Sequence, residues 1–339
     1  MRAALVVLLL ASAAALSAHE RTRGVIGFVD ESGALVFKNG EVHEAGDFAE
    51  GLAAARVHKA GVLKLGYLDR KGAFAIEPRF DAASAFSEGL AFVHLRDEHK
   101  SGYIDKQGRW AIEAALEDGR AFVEGVAPAR QGGKWGFIDR KGAFIVKPAF
   151  DDLDALREGR ARVKVGEKWG FADRTGALVI PASYSYAAHF SEGLARVRAE
   201  NGRIAFIDRD GKLAAGPLEG VAEAGDFRDG RSLVRVKTRW GYIDRAGRQV
   251  IPAVHEAGTP FSGGSAAIQQ SGKWSAVDVE GRTIARLDCE WTLGFQGGHA
   301  PFLAGGKMGF LDRSGKVVVP ARHVRVYAYS EGLARVELE

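Results

Sequence analysis

The sequence predicts an all-β tandem repeat array, and three observations carry that expectation. Asp-x-x-Gly recurs nine times, a Glu-Gly pair or a variant of it follows each time, and apolar residues after that pair alternate with period two. The aspartates are Asp30, Asp69, Asp105, Asp139, Asp173, Asp208, Asp244, Asp278 and Asp312, spaced by 34 to 39 residues. The second marker runs through Glu50-Gly51, Glu88-Gly89, Glu124-Gly125, Glu158-Gly159, Glu192-Gly193, Asp229-Gly230, Gly263-Gly264, Gly297-Gly298 and Glu331-Gly332. No linker interrupts the array, so residues 24–338 read as a single domain of nine units.

Ahead of the array stands "MRAALVVLLLASAAALSAHE". One arginine, a short apolar run and then small residues make residues 1–18 a cleaved signal peptide, too short to remain as a membrane span. Cleavage is expected after Ser17 or Ala18, leaving His19 and Glu20 near the mature start. No other segment is apolar enough to cross a bilayer.

Each unit is expected to hold three antiparallel strands. The first ends at the turn aspartate, as in Trp135 to Asp139, and is rich in aromatic and branched residues. Asp139 with Gly142, Asp173 with Gly176 and Asp244 with Gly247 then close hairpins: the carboxylate takes following amides and the glycine takes a left-handed backbone. A second strand follows (Ala143 to Val146, Ala177 to Ile180, Arg248 to Ile251) and is expected to end at a proline such as Pro78, Pro148, Pro181, Pro252 or Pro320, which cannot donate to a ladder. The third strand alternates, with Ala161 and Val163, Ala195 and Val197, or Ala334 and Val336 on its buried face. No window shows helical periodicity beyond the leader. In Trp135-Gly136, Trp169-Gly170 and Trp240-Gly241 the largest side chain stands beside none, which suggests a core ring lying over a neighbouring unit's glycine.

Trp-Gly, Asp-Arg-x-Gly, Ile-Pro and the thrice-repeated Ser-Glu-Gly-Leu-Ala together resemble the bacterial WG-repeat family over nearly the whole mature chain. Units three, six and eight depart from the pattern: none has the expected proline, and units three and six lack Trp-Gly. The resemblance implies β architecture and a binding or scaffolding role, with no catalytic residues to carry over. Stacking as an open superhelical solenoid is favoured, because propellers usually have four to eight four-stranded blades. A closed propeller-like ring is the alternative, since the chain starts in a first-strand segment and ends in a third-strand one.

With 47 basic and 43 acidic residues the chain is nearly balanced, which does not call for nucleic acid. Nucleophile-elbow, zinc-protease, phosphate-loop and Cys-x-x-Cys motifs are missing, so no catalytic residue, cofactor or metal is expected. His255 and His323 share a loop position without adjoining units. Cys289, the single cysteine, excludes an intrachain disulfide, and the acids beside it should raise its pKa. Cations are more suggestive. Arg162, Lys164, Arg196, Arg198, Arg235 and Lys237 fall on wet positions of the third strands in units four to six, forming a basic stripe. The plainer alternative pairs cations with the acidic row at Glu88, Glu124, Glu158 and Glu192. The expected protein is thus an exported, periplasmic or secreted, non-enzymatic scaffold for protein–protein interaction at the cell envelope. The alternative is an anionic-glycan binder using the stripe and rings such as Trp110, Trp291, Tyr184 or Tyr186.

Overall fold

A computed structural model describes residues 25–59, 61–114, 116–199 and 201–338; the expected leader at 1–18 lies outside the described residues. Nine antiparallel sheets of four strands each follow one another around a closed ring, a nine-bladed β-propeller. The all-β expectation holds throughout the described residues, whereas three-stranded units in an open superhelix are corrected on both counts.

The extra strand is two residues long in five blades and four or six in the others. In the blade spanning residues 118–150 it is Asp118–Gly119, followed by Ala127–Gln131, Lys134–Ile138 and Phe144–Phe150. Two residues carry no period-two signal, so this strand, at the sheet edge toward the ring axis, is invisible to patterning. Each blade thus takes its first two strands from one repeat and its last two from the next. That offset closes the ring. Val25–Asp30 pairs with Leu333–Leu338, from Val25 opposite Leu338 to Asp30 opposite Leu333, and the closing sheet combines Arg325–Ser330, Leu333–Leu338, Val25–Asp30 and Leu35–Asn39. Closure removes the two free edges that an open array would present.

Each Asp-x-x-Gly turn joins the third and fourth strands. Asp139 Oδ1 accepts the amides of Lys141 (2.8 Å) and Ala143 (3.0 Å), and Gly142 takes φ +84°. A Cβ on Gly142 would lie 2.6 Å from Ile112 on the preceding blade, and one on Gly176 2.5 Å from Val146. The same contact at the seam, Gly33 against Val319 at 2.7 Å, shows the ring passing through its closure unchanged. Hydrogen bonds hold several of these carboxylates below their usual range: the Thr175 hydroxyl leads at Asp173 and the Ser314 hydroxyl at Asp312. At Asp244 burial opposes the shift, and the Arg248 amide and guanidinium outweigh it.

Aromatic pairs join neighbouring blades. Tyr67 meets Phe86, Tyr103 meets Phe122, Phe171 meets Phe190, Phe206 meets Phe227, Tyr242 meets Phe261 and Phe310 meets Tyr329, with centroids 4.7–4.9 Å apart. The Ser-Glu-Gly-Leu-Ala serines add a second link: Ser87 Oγ donates to Phe122 O, Ser191 Oγ to Phe227 O and Ser330 Oγ to Phe48 O, at 2.7–2.8 Å.

Two local expectations are corrected. The second strand of the repeat does not stop at its proline: Phe74–Phe80, Phe144–Phe150, Leu178–Tyr184, Gln249–His255 and Val317–His323 all run through it. These are rim strands, where an absent N–H breaks no ladder toward a further neighbour. The Trp-Gly glycine is not covered by another unit's tryptophan either. Trp135 pairs with Phe150 and Phe137 with Val146, so Gly136 alone faces Lys147, Pro148 and Ala149 in a bulge. A Cβ there would sit 2.2 Å from Val146 O and 2.8 Å from Pro148 N. Gly170 and Gly241 face Pro181 and Pro252 in the same arrangement, with Cβ clearances of 2.5 Å. Where the register is regular, the position accepts Ser275.

Candidate functional site

Trp135 is buried, and Trp169 and Trp240 are half-buried, each beneath an arginine: Arg120 lies 4.4 Å from the Trp135 ring, Arg162 4.3 Å from Trp169 and Arg235 5.9 Å from Trp240. The basic stripe is therefore built into the blades to a large degree. Arg162 Nε donates to Asp154 (2.7 Å) and its Nη1 to Ala187 O of the next blade (2.9 Å). Arg235 pairs with Glu223, Arg196 lies 3.5 Å from Asp226, Lys164 Nζ donates to Glu167 (3.3 Å) and Arg198 to Gly202 O (2.5 Å). Lys237 stands exposed at a hairpin with φ +52°. The partners Asp154, Glu223 and Asp226 lie on or just after the short first strands, so the sequence pattern gave no sign of them.

His255 and His323 are buried at the ends of rim strands, opposite Trp240 and Met308, in the place that Phe80 holds opposite Leu65. Burial holds both imidazoles below their ordinary pKa, as neutral rings in aromatic positions. Burial, with Asp288 adding to it, pushes the Cys289 thiol up to about 11, which disfavours a thiolate nucleophile at neutral pH. Among the described residues no group of three or more His, Cys, Asp or Glu is placed to hold a metal, and no helix is long and apolar enough to cross a membrane.

Ring closure creates a feature that no single repeat contains. A half-open groove of about 1290 Å³ lies between the closing blade and the blade of residues 42–80. Small residues make the room. Gly46 stands where the blades after it carry Ser84, Arg120 and Asp154, each donating its amide to the second strand, and Ala54 stands where they carry Phe92, Pro128 and Arg162. Leu63, Leu65 and Leu338 give the groove apolar wall, and Arg56, Arg325, Arg335, Glu44, Glu337 and Tyr327 give it charge and hydrogen bonds. Arg56 is taken by Glu44 at 3.0 Å, and the Tyr327 hydroxyl donates to Glu337 at 2.8 Å. Burial and then that carboxylate hold the phenol above its ordinary pKa. Arg335 lies 3.6 Å from the Tyr327 ring centre, and its Nε is buried with no hydrogen-bond partner among the described residues. Arg325 hydrogen-bonds the Tyr327 hydroxyl, and neither Arg325 nor Arg335 forms a salt bridge among the described residues, so the groove carries two cations without a carboxylate partner. These residues were missed because the groove joins the two ends of the chain.

A family model described as "WG containing repeat" matches residues 66–97, 102–135, 135–169, 169–203, 240–274 and 308–339. Its second match covers the unit of Asp105, which lacks both Trp-Gly and the proline; the units of Asp30, Asp208 and Asp278 are not matched. No curated protein matches the chain. Among solved structures, a computationally designed protein, Ika8, is 13% identical and covers 77% of this chain and 96% of its own, with a TM-score of 0.44. BamB from Moraxella catarrhalis is 11% identical over 87% of this chain and 96% of its own, at 0.40. Hsv2p from Kluyveromyces lactis is 11% identical over 69% and 92%, at 0.41.

Proposed function

The chain belongs to the WG-repeat family, and from that premise we propose that it is an exported, non-enzymatic scaffold that holds a segment of a partner protein in the seam groove. The observation that carries this reading is the groove's composition. Leucines supply desolvation, while the guanidinium groups of Arg325 and Arg335, in no salt bridge among the described residues, supply directional donors for backbone carbonyls or an acidic side chain. The paired state of Arg162 and Arg235 argues for the groove over the stripe as the docking face, because a cation already bonded in cis gives up those bonds to bind in trans. The neutral histidines and the raised Cys289 thiol support a role without catalysis.

Capture from envelope extract tests the reading with two variants. Arg325→Glu with Arg335→Glu is expected to lower recovery of the partner at least tenfold, corresponding to about 1.4 kcal/mol or more. Arg198→Ser with Lys237→Ser, in the stripe, should leave recovery within about twofold. Equal capture by both variants would remove the groove from the proposal, and wall polysaccharide coming down in place of protein would favour the glycan reading. Export rests on the apolar leader and has its own check. Mass spectrometry of protein recovered outside the cytoplasm should give a mature chain beginning at Ala18 or His19; an intact Met1 would refute it.

A further inference from the structure

The Glu-Gly turns form a belt on the ring face that also carries the Asp-x-x-Gly turns, since both kinds of turn sit at the same end of the antiparallel strands. Within the belt the acid of one blade accepts amides from the next blade's turn. Glu331 takes Glu50 N (2.6 Å) and Gly51 N (3.0 Å), and Glu192 takes Asp229 N (2.6 Å) and Gly230 N (2.9 Å). Glu50, Glu88, Glu124, Glu158 and Asp229 likewise hold the amides of Gly89, Gly125, Gly159, Gly193 and Gly264. At five junctions the basic residue of an Asp-x-x-Gly turn completes the arrangement: Arg70 with Glu331, Lys106 with Glu50, Arg140 with Glu88, Arg209 with Glu158 and Arg245 with Glu192. One carboxylate, left-handed-turn amides and one cation make up the recurring set.

Two of the nine turns have glycine in place of the acid, at Gly263 and Gly297. For Gly297 the position of the base is held by Glu31, which repels an anion. For Gly263 everything except the carboxylate is kept. Gly297 and Gly298 take φ +58° and +89°, as the acid–glycine turns do, and Arg313 holds the position of the base. A Cβ on Gly263 would lie 2.0 Å from Arg313 Nη2, so the guanidinium leans into the space that the acidic side chain fills elsewhere. Arg313 has no hydrogen bond or salt bridge among the described residues, and Gly263, Gly297 and Arg313 are all exposed.

We propose that this junction receives a carboxylate in trans, from an acidic side chain on an extended partner segment, held by the Gly297 and Gly298 amides and the Arg313 guanidinium. A planar carboxylate suits two parallel amides and a guanidinium fork. Five sister junctions of the same molecule hold one in cis with the same kinds of donor. The inference does not rest on the seam groove, whose lining at Ile26, Val324 and Leu338 lies toward the opposite ends of the strands.

The test follows the amide resonances of Gly297 and Gly298 in 15N-labelled mature protein during titration with a capped pentapeptide, acetyl-Gly-Gly-Glu-Gly-Gly-amide. Saturable shifts are expected with a Kd on the order of millimolar. Arg313→Ser should weaken them roughly tenfold by removing a charge-assisted donor. Gly263→Glu should abolish them by supplying the carboxylate in cis; Glu50, at φ +54°, shows that the backbone accepts glutamate, and an unchanged melting temperature would confirm folding. The proposal is overturned if the neutral analogue acetyl-Gly-Gly-Gln-Gly-Gly-amide gives the same shifts, if Gly263→Glu titrates like wild type, or if Gly297 and Gly298 do not respond. A response only to pentaglycine with a free C-terminus would likewise overturn the side-chain assignment.

Discussion

Deleting residues 333–338 is expected to abolish cooperative unfolding. The deletion removes the strand that joins Arg325–Ser330 to Val25–Asp30, and with it the buried side chains of Leu333, Ala334 and Val336. It also uncovers Phe28, Val29 and Val326 on the flanking strands. Fully burying one large apolar side chain is worth about 1.5–3 kcal/mol, so the loss approaches the whole 5–15 kcal/mol by which a domain is stable. The truncated protein should melt without a sharp transition and bind a hydrophobic dye. A converse experiment separates closure from mere loss of chain. With Cys289→Ser as background, Val25→Cys and Leu338→Cys place two thiols on directly opposed residues, whose Cα separation in an antiparallel pair, about 4.5–5.5 Å, lies within disulfide range. The ring predicts spontaneous oxidation and roughly 2–4 kcal/mol of added stability. Failure to oxidise, or a truncated protein that still melts sharply, would contradict a closed ring.

The sequence showed whatever repeats within one unit, and hid whatever depends on how units meet. Asp139, Gly142 and their eight counterparts announce a turn because an aspartate carboxylate capping two amides is a local event. The period-two alternation at Ala161 and Val163 likewise marks a strand with one buried face. The first strand left no such trace in the five blades where, like Asp118–Gly119 and Asp152–Leu153, it is two residues long and too short to alternate. Without that strand the repeat shows only three, and the offset that lets the two termini complete one sheet has no pattern within a single unit. The stripe shows the same limit. Arg162 and Arg196 read as free cations because Asp154 and Asp226 lie in stretches with no periodic pattern. The groove needed still more, since Arg335 and Leu63 meet only after closure. The Gly263 and Gly297 departures were visible from the start, but they became informative only when the seven acidic turns showed what a carboxylate does there.

Gly136→Ala is expected to be among the most damaging single-methyl additions in the chain. The new Cβ would lie 2.2 Å from Val146 O and 2.8 Å from Pro148 N, and both are backbone atoms, which cannot swing aside as the end of a side chain can. Relief requires the bulge around Pro148 to open, separating Trp135 from Phe150 and loosening the buried Phe137 beneath it. Overpacking costs about 1–3 kcal/mol where side chains can adjust, and the rigid backbone puts this site at or above about 3 kcal/mol. At roughly 2–4 °C per kcal/mol, the melting temperature should fall by about 6–12 °C. Gly170→Ala and Gly241→Ala should behave alike, since their clearances are 2.5 Å. Two controls discriminate. Ser275→Ala, at a position where the register is regular and the backbone already carries a Cβ, should stay within about 0.5 kcal/mol. Gly27→Ala, which would meet the side-chain ends of Leu338 and Leu35 at 3.1 Å, should cost less than Gly136→Ala because both can shift. If Gly136→Ala melts with Ser275→Ala, the glycine is not there to admit the bulge. If the series orders as stated, Trp-Gly and Ile-Pro are two halves of one device: the proline marks the bulge on the rim strand, and the glycine opposite makes room for it. Ala205, in a blade whose rim strand is only Leu213–Ala215, fits that rule, because where the bulge is missing a Cβ is tolerated.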